Sequence, residues 1–237
     1  DISYTQEGKL YSKKLYKKGT MKTFQYFDSL GAVLSEGKKY FIVYDKFGYK
    51  WYEGKLKGKK GRHGLWKYYY KNGNLSKSFN YVKGSLEGEG KWFYASGQLD
   101  SKVNFIDDQR DGLYTEYFEN GNIKVEGWYV KGDKQGDWKE YNIKGKLVDH
   151  SYYIDGSFDR FYVEYNDDGR KRAESFYQDG MIKYITLFDT TGKALKKNEF
   201  QHGTGKYETP AFTKNTKFIK GEMVSGERNG KFVFLHP

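Results

Sequence analysis

Histidine, the side chain most often used for acid–base and metal chemistry near neutral pH, occurs only four times in the 237 residues. None of the four stands at metal-ligand spacing from another, and no nucleophile motif accompanies them. The chain has no cysteine, which excludes thiol catalysis, thiolate metal sites and disulfides. We therefore expect a protein that is not an enzyme, with no catalytic residue, no metal and no cofactor. The histidines are His63, His150, His202 and His236.

Two acidic segments could suggest cation binding, and neither has the required pattern. Residues 107–112 lack the alternating oxygen ligands and the closing glutamate of a calcium loop, so we interpret them as a solvated turn. Residues 167–169 fit a hairpin turn in the same way. The many glycines follow a repeat and do not form a phosphate-binding loop.

Glycine recurs with a period of about 24 residues, which indicates one structural unit repeated along the chain. An aromatic residue stands four positions before each of these glycines. A unit of this length cannot bury its own apolar surface and must pack on its neighbours. The glycines are Gly8, Gly31, Gly48, Gly73, Gly97, Gly121, Gly145, Gly169 and Gly192, and the aromatics are Tyr4, Phe27, Tyr44, Tyr69, Phe93, Tyr117, Tyr141, Tyr165 and Phe188.

The clearest unit, residues 64–84, places two aromatic-rich runs on either side of Asn72-Gly73. Asn-Gly between such runs is the strongest short-range signal for a tight hairpin turn. A second glycine, Gly84, closes a looser connection to the next unit. The sequence therefore predicts an all-β fold, an elongated repeat array of consecutive antiparallel β-hairpins with about ten units of about 24 residues.

We expect residues 1–237 to form a single array. The repeat is shortened near residues 31–48, which predicts a bend or junction there. Residues 205–237 are interpreted as a degenerate unit followed by a C-terminal cap.

Both faces of the strands carry aromatic residues, and two interpretations stay open. Either the sheet curls so that one aromatic column forms the core and the other a partly exposed stripe, or both columns are covered. We favour the first, with the column from Tyr69 to Tyr165 as the buried spine because an aromatic is kept there in every unit.

Residues 61–75 combine a glycine-rich turn, a tryptophan, paired tyrosines, Asn-Gly and a leucine, and residues 132–141 and 226–232 share the same opening. This pattern resembles the variant MORN repeat of bacterial proteins commonly labelled YwqK-type antitoxins. The resemblance covers most of the chain and is strongest from Gly61 to Gly180. It implies an extended sheet of consecutive hairpins and a role in binding or scaffolding, with no catalytic residues to transfer.

The net charge of +11 favours anionic partners, although the basic residues are dispersed. Our main hypothesis is a non-catalytic repeat scaffold that binds another protein, as an inhibitor of the antitoxin or immunity type. The alternative is an envelope-associated binder of anionic lipid headgroups or cell-wall polymer. Nucleic acid is disfavoured because no nucleic-acid motif is present. We favour an exported or envelope-associated bacterial protein whose leader has been removed over a cytoplasmic one.

We expect the partner to bind the aromatic side chains opposite the Tyr69 column, together with cations at the turns. The competing interpretation is that the tryptophans are core residues and the cations are solvated. The expected partner-binding residues are Trp66, Tyr68, Tyr114, Trp138, Arg62, Arg110, Lys134 and Arg228.

Overall fold

In the computed structural model every regular element is a β-strand, and no helix occurs among the residues that it describes. This confirms the prediction of an all-β fold. Side chains are described for the same residues except 20, 33–37 and those after 206. The described residues are 1–4, 9–18, 20–27, 33–37, 40–45, 47–57, 61–213, 216–224 and 227–235.

The chain divides into two compact units, Asp1–Gly121 and Asn122–Pro237. The first unit begins with a four-stranded antiparallel sheet whose strands pair in chain order. These strands are β1 (Ile2–Tyr4), β2 (Leu10–Lys17), β3 (Thr20–Phe27) and β4 (Val33–Gly37).

The other strands of the first unit form a second antiparallel sheet, which also follows chain order. They are β5 (Tyr40–Tyr44), β6 (Lys50–Leu56), β7 (Arg62–Tyr69), β8 (Leu75–Val82), β9 (Ser85–Leu86), β10 (Gly88–Phe93), β11 (Leu99–Ile106), β12 (Gln109–Arg110) and β13 (Gly112–Tyr117). Buried aromatic rings join the two sheets, since Phe24 of β3 stacks on Phe41 of β5 with centroids 4.7 Å apart. The strand order confirms the prediction of consecutive hairpins.

The second unit repeats the same hairpin arrangement and ends in a separate three-stranded sheet. That last sheet occupies the region predicted to hold a degenerate unit and a cap. The predicted register break near residues 31–48 lies partly outside the described residues, and the single array remains a prediction. The strands are β14 (Ile123–Val130), β15 (Asp133–Tyr141), β16 (Leu147–Ile154), β17 (Ser157–Tyr165), β18 (Lys171–Gln178), β19 (Met181–Phe188), β20 (Ala194–Glu199), β21 (Gly205–Thr213), β22 (Thr216–Val224) and β23 (Glu227–Leu235).

The repeating glycine lies in a hairpin turn, as predicted, but the turn is not the two-residue type expected from Asn-Gly. The amide of Gly73 donates to the carbonyl of Tyr70 at 3.0 Å, and the amide of Tyr70 donates to the carbonyl of Asn74 at 2.8 Å. Gly73 has a φ of 88°, whereas Asn72 is not among the residues with positive φ. This geometry is a type I turn followed by a left-handed glycine. It explains why the glycine recurs while the residue before it varies.

The same positive φ occurs at all the turn glycines that the structure describes. Gly8 and Gly31 lie outside the described residues. The others have φ values between 77° and 96°, at Gly48, Gly73, Gly97, Gly121, Gly145, Gly169 and Gly192.

In the six units from Gly73 onward the tighter turn is at the opposite end, where a looser connection was expected. Lys83 and Gly84 both have positive φ, 56° and 105°, and Val82 pairs with Ser85 across them. Two consecutive positive φ values define a type I′ turn, whose twist matches that of the flanking strands. The expectation was therefore wrong. The same pair of positive φ values recurs at Asp107-Asp108, Lys131-Gly132, Asp155-Gly156, Asp179-Gly180 and His202-Gly203.

Polar side chains directly after the turn glycines link neighbouring turns. In the second unit the side-chain amide of Asn122 donates to the carbonyl of Ile143 at 2.9 Å, and Lys146 Nζ donates to the carbonyl of Asp167 at 2.8 Å. Asn74 makes the corresponding bond to Ala95 at 2.8 Å in the first unit. These turns are thus hydrogen-bonded to the next one by a residue at the same repeat position.

Large buried side chains of one strand pack on small residues of the strand beside it. A Cβ atom added to Gly54 would lie 2.2 Å from the ring of Trp66, and one added to Gly127 would lie 2.2 Å from the ring of Trp138. Both rings therefore lie flat against bare backbone. The core depends on glycine here because no larger residue leaves room for the indole.

The sheet has one buried aromatic column and one that is half-buried, as the favoured interpretation expects, but the two columns are exchanged. The Tyr69 column, predicted to be the spine, is half-buried at each position from Tyr69 to Tyr165. Its hydroxyls need polar partners, and Tyr141 donates to Glu126 Oε1 at 2.6 Å. Burial and this hydrogen bond raise the pKa of Tyr141 to about 12. The buried column includes Tyr81, Phe105 and Tyr129 of the return strands and Phe200 directly after β20.

Candidate functional site

Two tryptophans expected on the partner-binding face belong to the core. Trp66 and Trp138 each expose only 4% of their surface. Their indole N–H groups donate to main-chain carbonyls, that of Lys55 at 3.1 Å and that of Trp128 at 3.3 Å. The expectation of an exposed face was wrong for both residues because each ring is needed to cover a glycine of the neighbouring strand.

The cations Arg62 and Lys134 lie over these same rings and are not simply solvated. Arg62 Cζ is 4.8 Å from the centroid of the Trp66 ring, and Lys134 Nζ is 4.2 Å from that of Trp138. Burial lowers the pKa of Lys134, and the charge of Glu140 opposes this shift. Both cations therefore cover the core through cation–π contacts.

The other expected site residues do not gather into one site. Tyr68 is half-buried, and Tyr114 is half-buried with its hydroxyl donating to Glu116 Oε2 at 2.9 Å. Arg110 is exposed on β12. The side chain of Arg228 lies outside the described part of the structure.

A different group of aromatic residues is exposed, and it lies in and after the turn between β5 and β6. Phe47, Tyr49 and Trp51 expose 64%, 48% and 58% of their surface. Phe47 lies in the turn itself, and Tyr49 and Trp51 follow it directly before and within β6, so the three exposed side chains lie close together along the chain. Large apolar side chains exposed together in this way indicate a binding surface.

These three residues depart from the repeat. In the six later units with a turn glycine, no aromatic residue stands one position before that glycine, one after it or three after it. The unit at Gly48 has an aromatic at all three positions. From the sequence alone, this departure from the repeat would have indicated the site. The residues one position after the glycine are otherwise Asn74, Gln98, Asn122, Lys146, Arg170 and Lys193.

Tyr49 and Trp51 of this group line an open cleft of about 420 Å³ between the β5–β6 turn and the end of β7. Pairing of Tyr52 with Tyr68 across β6 and β7 brings Trp51 next to Tyr69 on the opposite face of the sheet. The volume lies within the usual range for specific ligand sites. The cleft is lined by Asp45, Tyr49, Lys50, Trp51, Tyr69, Tyr70 and Lys71.

Hydrogen bonds within the protein hold the tyrosine rings of the cleft in place. Tyr70 donates its hydroxyl to the carbonyl of Phe93 at 2.7 Å, and Tyr69 donates to Glu53 Oε1. Lys50 Nζ lies 2.8 Å from Glu53 Oε2. Burial opposes the ionisation of Glu53, but hydrogen bonds from Lys50 and Tyr69 outweigh it and hold the pKa of this carboxyl below its ordinary value.

The turn itself is fixed by Asp45. Its Oδ1 atom accepts hydrogen bonds from the amides of Phe47 at 2.9 Å and Tyr49 at 3.0 Å. Such a bond from an aspartate to amides two and four residues later stabilises the turn that carries the exposed rings. The cleft is thus preorganised by its own side chains.

Trp51 differs from the buried tryptophans in its indole N–H. Among the residues that the structure describes, nothing accepts a hydrogen bond from it, and its ring contact is with Tyr52 at 5.3 Å between centroids. The exposed donor is therefore available to a ligand.

The described residues contain no cluster of three histidine, aspartate or glutamate side chains placed to share a metal ion. They also contain no helix with the length and apolar character needed to cross a membrane.

Known structures show only a distant likeness, and no curated protein matches the chain. The structure titled TcdB2-TccC3-Cdc42 is 12% identical, with a TM-score of 0.23, and the match covers 95% of this chain and 15% of that one. A Photorhabdus luminescens Tc holotoxin pore with a TccC3 mutation is 10% identical, with a TM-score of 0.21 and coverage of 95% and 13%. The chain thus spans a small part of those structures, and a likeness this weak says nothing about its function.

The repeats themselves match a known family. The family described as the MORN repeat variant matches residues 62–83, 86–107 and 110–131. The first two matched segments end at Lys83 and Asp107, the first residues of type I′ turns, so sequence and structure divide the chain at the same places. This match supports a MORN-repeat protein, with three variant repeats in residues 62–131.

Proposed function

We propose that this chain is a non-catalytic repeat scaffold that binds another protein through the cleft beside Trp51. The observation that carries the proposal is the exposed group of Phe47, Tyr49 and Trp51. The units from Gly73 onward have no aromatic residue at these three repeat positions. Tryptophan and tyrosine dominate the binding energy of protein interfaces. Rings already held in place lose little conformational entropy on binding.

The antitoxin or immunity function is the specific form of this proposal. It is supported by the resemblance of residues 61–75 to YwqK-type repeats. In this form the partner is a toxic protein whose activity is blocked when the scaffold occupies its surface.

The alternative of a binder of anionic lipid or polymer is less favoured by the geometry. It requires cations that are free to meet phosphate or carboxylate groups. Arg62 and Lys134 instead lie over core tryptophans, and Lys50 is paired with Glu53.

The test is capture of native partners with Trp51→Ala, using Trp128→Ala as the matched control. Trp128 is also exposed, at 50%, and it lies outside the cleft. We expect the same proteins to be retained by the wild type and by Trp128→Ala and to be lost by Trp51→Ala. A hot-spot tryptophan contributes about 2 kcal/mol or more, which is roughly a 30-fold loss of affinity.

Mass spectrometry of the captured proteins and binding to anionic liposomes supply the readouts. Retention of every partner by Trp51→Ala would contradict the proposal. Liposome binding by all three proteins without a captured protein would support the alternative. For the antitoxin form, the wild type should relieve growth arrest by a captured toxin and Trp51→Ala should not.

A further inference from the structure

Two tyrosine hydroxyls at the cleft are used within the protein. The hydroxyls of Tyr69 and Tyr70 donate to Glu53 and to the carbonyl of Phe93. A sugar requires several converging hydrogen bonds to its hydroxyl groups. The cleft offers ring faces more than free polar groups, and this favours a ligand that contacts rings with its own apolar rings.

The charges around the cleft are balanced in sign, with two cations, Lys50 and Lys71, and two carboxylates, Glu53 and Asp45. Lys50 is paired with Glu53 at 2.8 Å, and Lys71 Nζ lies 5.8 Å from the centroid of the Phe47 ring. Asp45 adds a carboxylate to the lining. A phosphate, a carboxylate or a strongly basic segment would each meet a group of its own sign, so charge complementarity favours an uncharged ligand.

The cleft also holds hydrogen-bond donors that the described part of the protein does not use. The indole N–H of Trp51 has no acceptor among the described residues, whereas those of Trp66 and Trp138 have main-chain acceptors. A matching ligand therefore presents hydrogen-bond acceptors to the cleft and has few donors of its own that need acceptors from the protein. Proline-rich chains meet this condition because proline has no N–H and the polyproline II helix has no internal hydrogen bonds, which leaves its carbonyls free.

We infer that the cleft binds an uncharged proline-rich segment of the partner in the polyproline II conformation, with its rings on Tyr49, Trp51 and Tyr70 and a carbonyl on the indole N–H of Trp51. This inference rests on the proposed function, since it names the part of the partner that the scaffold recognises. A polyproline II segment is stiff before it binds, so it loses little entropy in an open aromatic groove.

The experiment titrates the full chain with a fluorescein-labelled peptide of ten prolines and follows its anisotropy. A flexible glycine–serine peptide of equal length and unlabelled chitohexaose as competitor are the controls. We expect the proline peptide to bind at least tenfold more tightly than the glycine–serine peptide. Trp128→Ala should bind like the wild type.

Two substitutions separate ring contact from hydrogen bonding. Trp51→Ala should weaken the binding of the proline peptide at least tenfold. Trp51→Phe keeps an aromatic ring without the N–H donor, and it should lie between the wild type and Trp51→Ala. Circular dichroism of each variant confirms that the chain is folded.

The outcomes distinguish this inference from the proposed function. Equal affinity for the two peptides, or proline binding that Trp51→Ala leaves unchanged, would overturn the inference. If native partners depend on Trp51 but the proline peptide does not displace them, the inference fails and the proposed function stands. Binding of chitohexaose through Trp51 without any captured protein would overturn both.

Discussion

The hairpins at Gly48 and Gly121 lead into the same kind of core, but their turns carry different side chains. In both, a glycine six residues after the turn glycine, Gly54 or Gly127, lies under a tryptophan from the next strand. The indole N–H of that tryptophan is bonded to the main chain, and a cation covers its ring.

Their turn glycines have the same conformation, with φ of 87° and 88°, but the side chains around them differ. The Gly48 turn carries Phe47, Tyr49 and Trp51, and the corresponding residues at Gly121 are Asn120, Asn122 and Lys124. Asn122 uses its amide to bond the next turn at Ile143, while Tyr49 points an exposed ring outward. The core positions are thus constrained by packing, whereas the turn positions can change without loss of the fold. Binding residues are expected at the turns.

The largest expected effect comes from removing the shared core contact. Trp66→Ala and Trp138→Ala should each lower the free energy of unfolding by about 3–5 kcal/mol, because a buried ring is lost and a cavity is left. Urea denaturation followed by circular dichroism measures this change. The comparison would fail if Trp66→Ala were no more destabilising than Trp51→Ala.

A smaller effect is expected from filling the space under the rings. Gly54→Ala places a Cβ 2.2 Å from the Trp66 ring, and overpacking of this kind costs about 1–3 kcal/mol. Gly127→Ala should behave alike. In a Trp66→Ala background the Gly54→Ala change should cost much less, because its clash partner is absent. An undiminished cost in the double variant would show that the ring is not the cause.

The pH dependence of stability should distinguish the Gly48 hairpin from the other. The lowered pKa of Glu53 means that its carboxylate stabilises the fold above its unfolded pKa, near 4.5, and that this contribution is lost as the pH falls through the lower folded value. Glu53→Gln should cost about 1.5–3 kcal/mol at pH 7 and clearly less at pH 3. Denaturation at both pH values gives the difference. A penalty that does not change with pH would refute this role for Glu53.

The smallest effect on stability is expected from exchanging the turns. Phe47→Asn, Tyr49→Asn and Trp51→Lys together give the first turn the residues of the second, and each exposed change should alter stability by less than about 0.5 kcal/mol. The partner should no longer bind, whereas the melting curve should stay close to that of the wild type. A large loss of stability would mean that the aromatic residues support the fold and are not free for binding.

The sequence predicted the hairpins well because the turn glycine at Gly73 has a backbone requirement that repeats. It did not reveal which turn was tighter, since Asn72-Gly73 and Lys83-Gly84 both fit a two-residue turn and only φ values distinguish them. It also misplaced the core. The burial of Trp66 depends on Gly54 of the neighbouring strand, a contact that becomes visible only when the strand register is known.

The site was missed for a related reason. The expected site was built on positions that recur with the repeat, whereas Trp51 matters because it does not recur.

The hydrogen bonds between successive turns in the second unit also have a mechanical consequence. Each, such as that from Lys146 to Asp167, links one hairpin only to its immediate neighbour. A pulling force on a strand at the end of this row of hairpins would therefore load few bonds at a time, and the hairpins would detach in succession. Each detached repeat of about 24 residues would lengthen the chain by roughly 80 Å, so stretching this unit should give a series of evenly spaced steps.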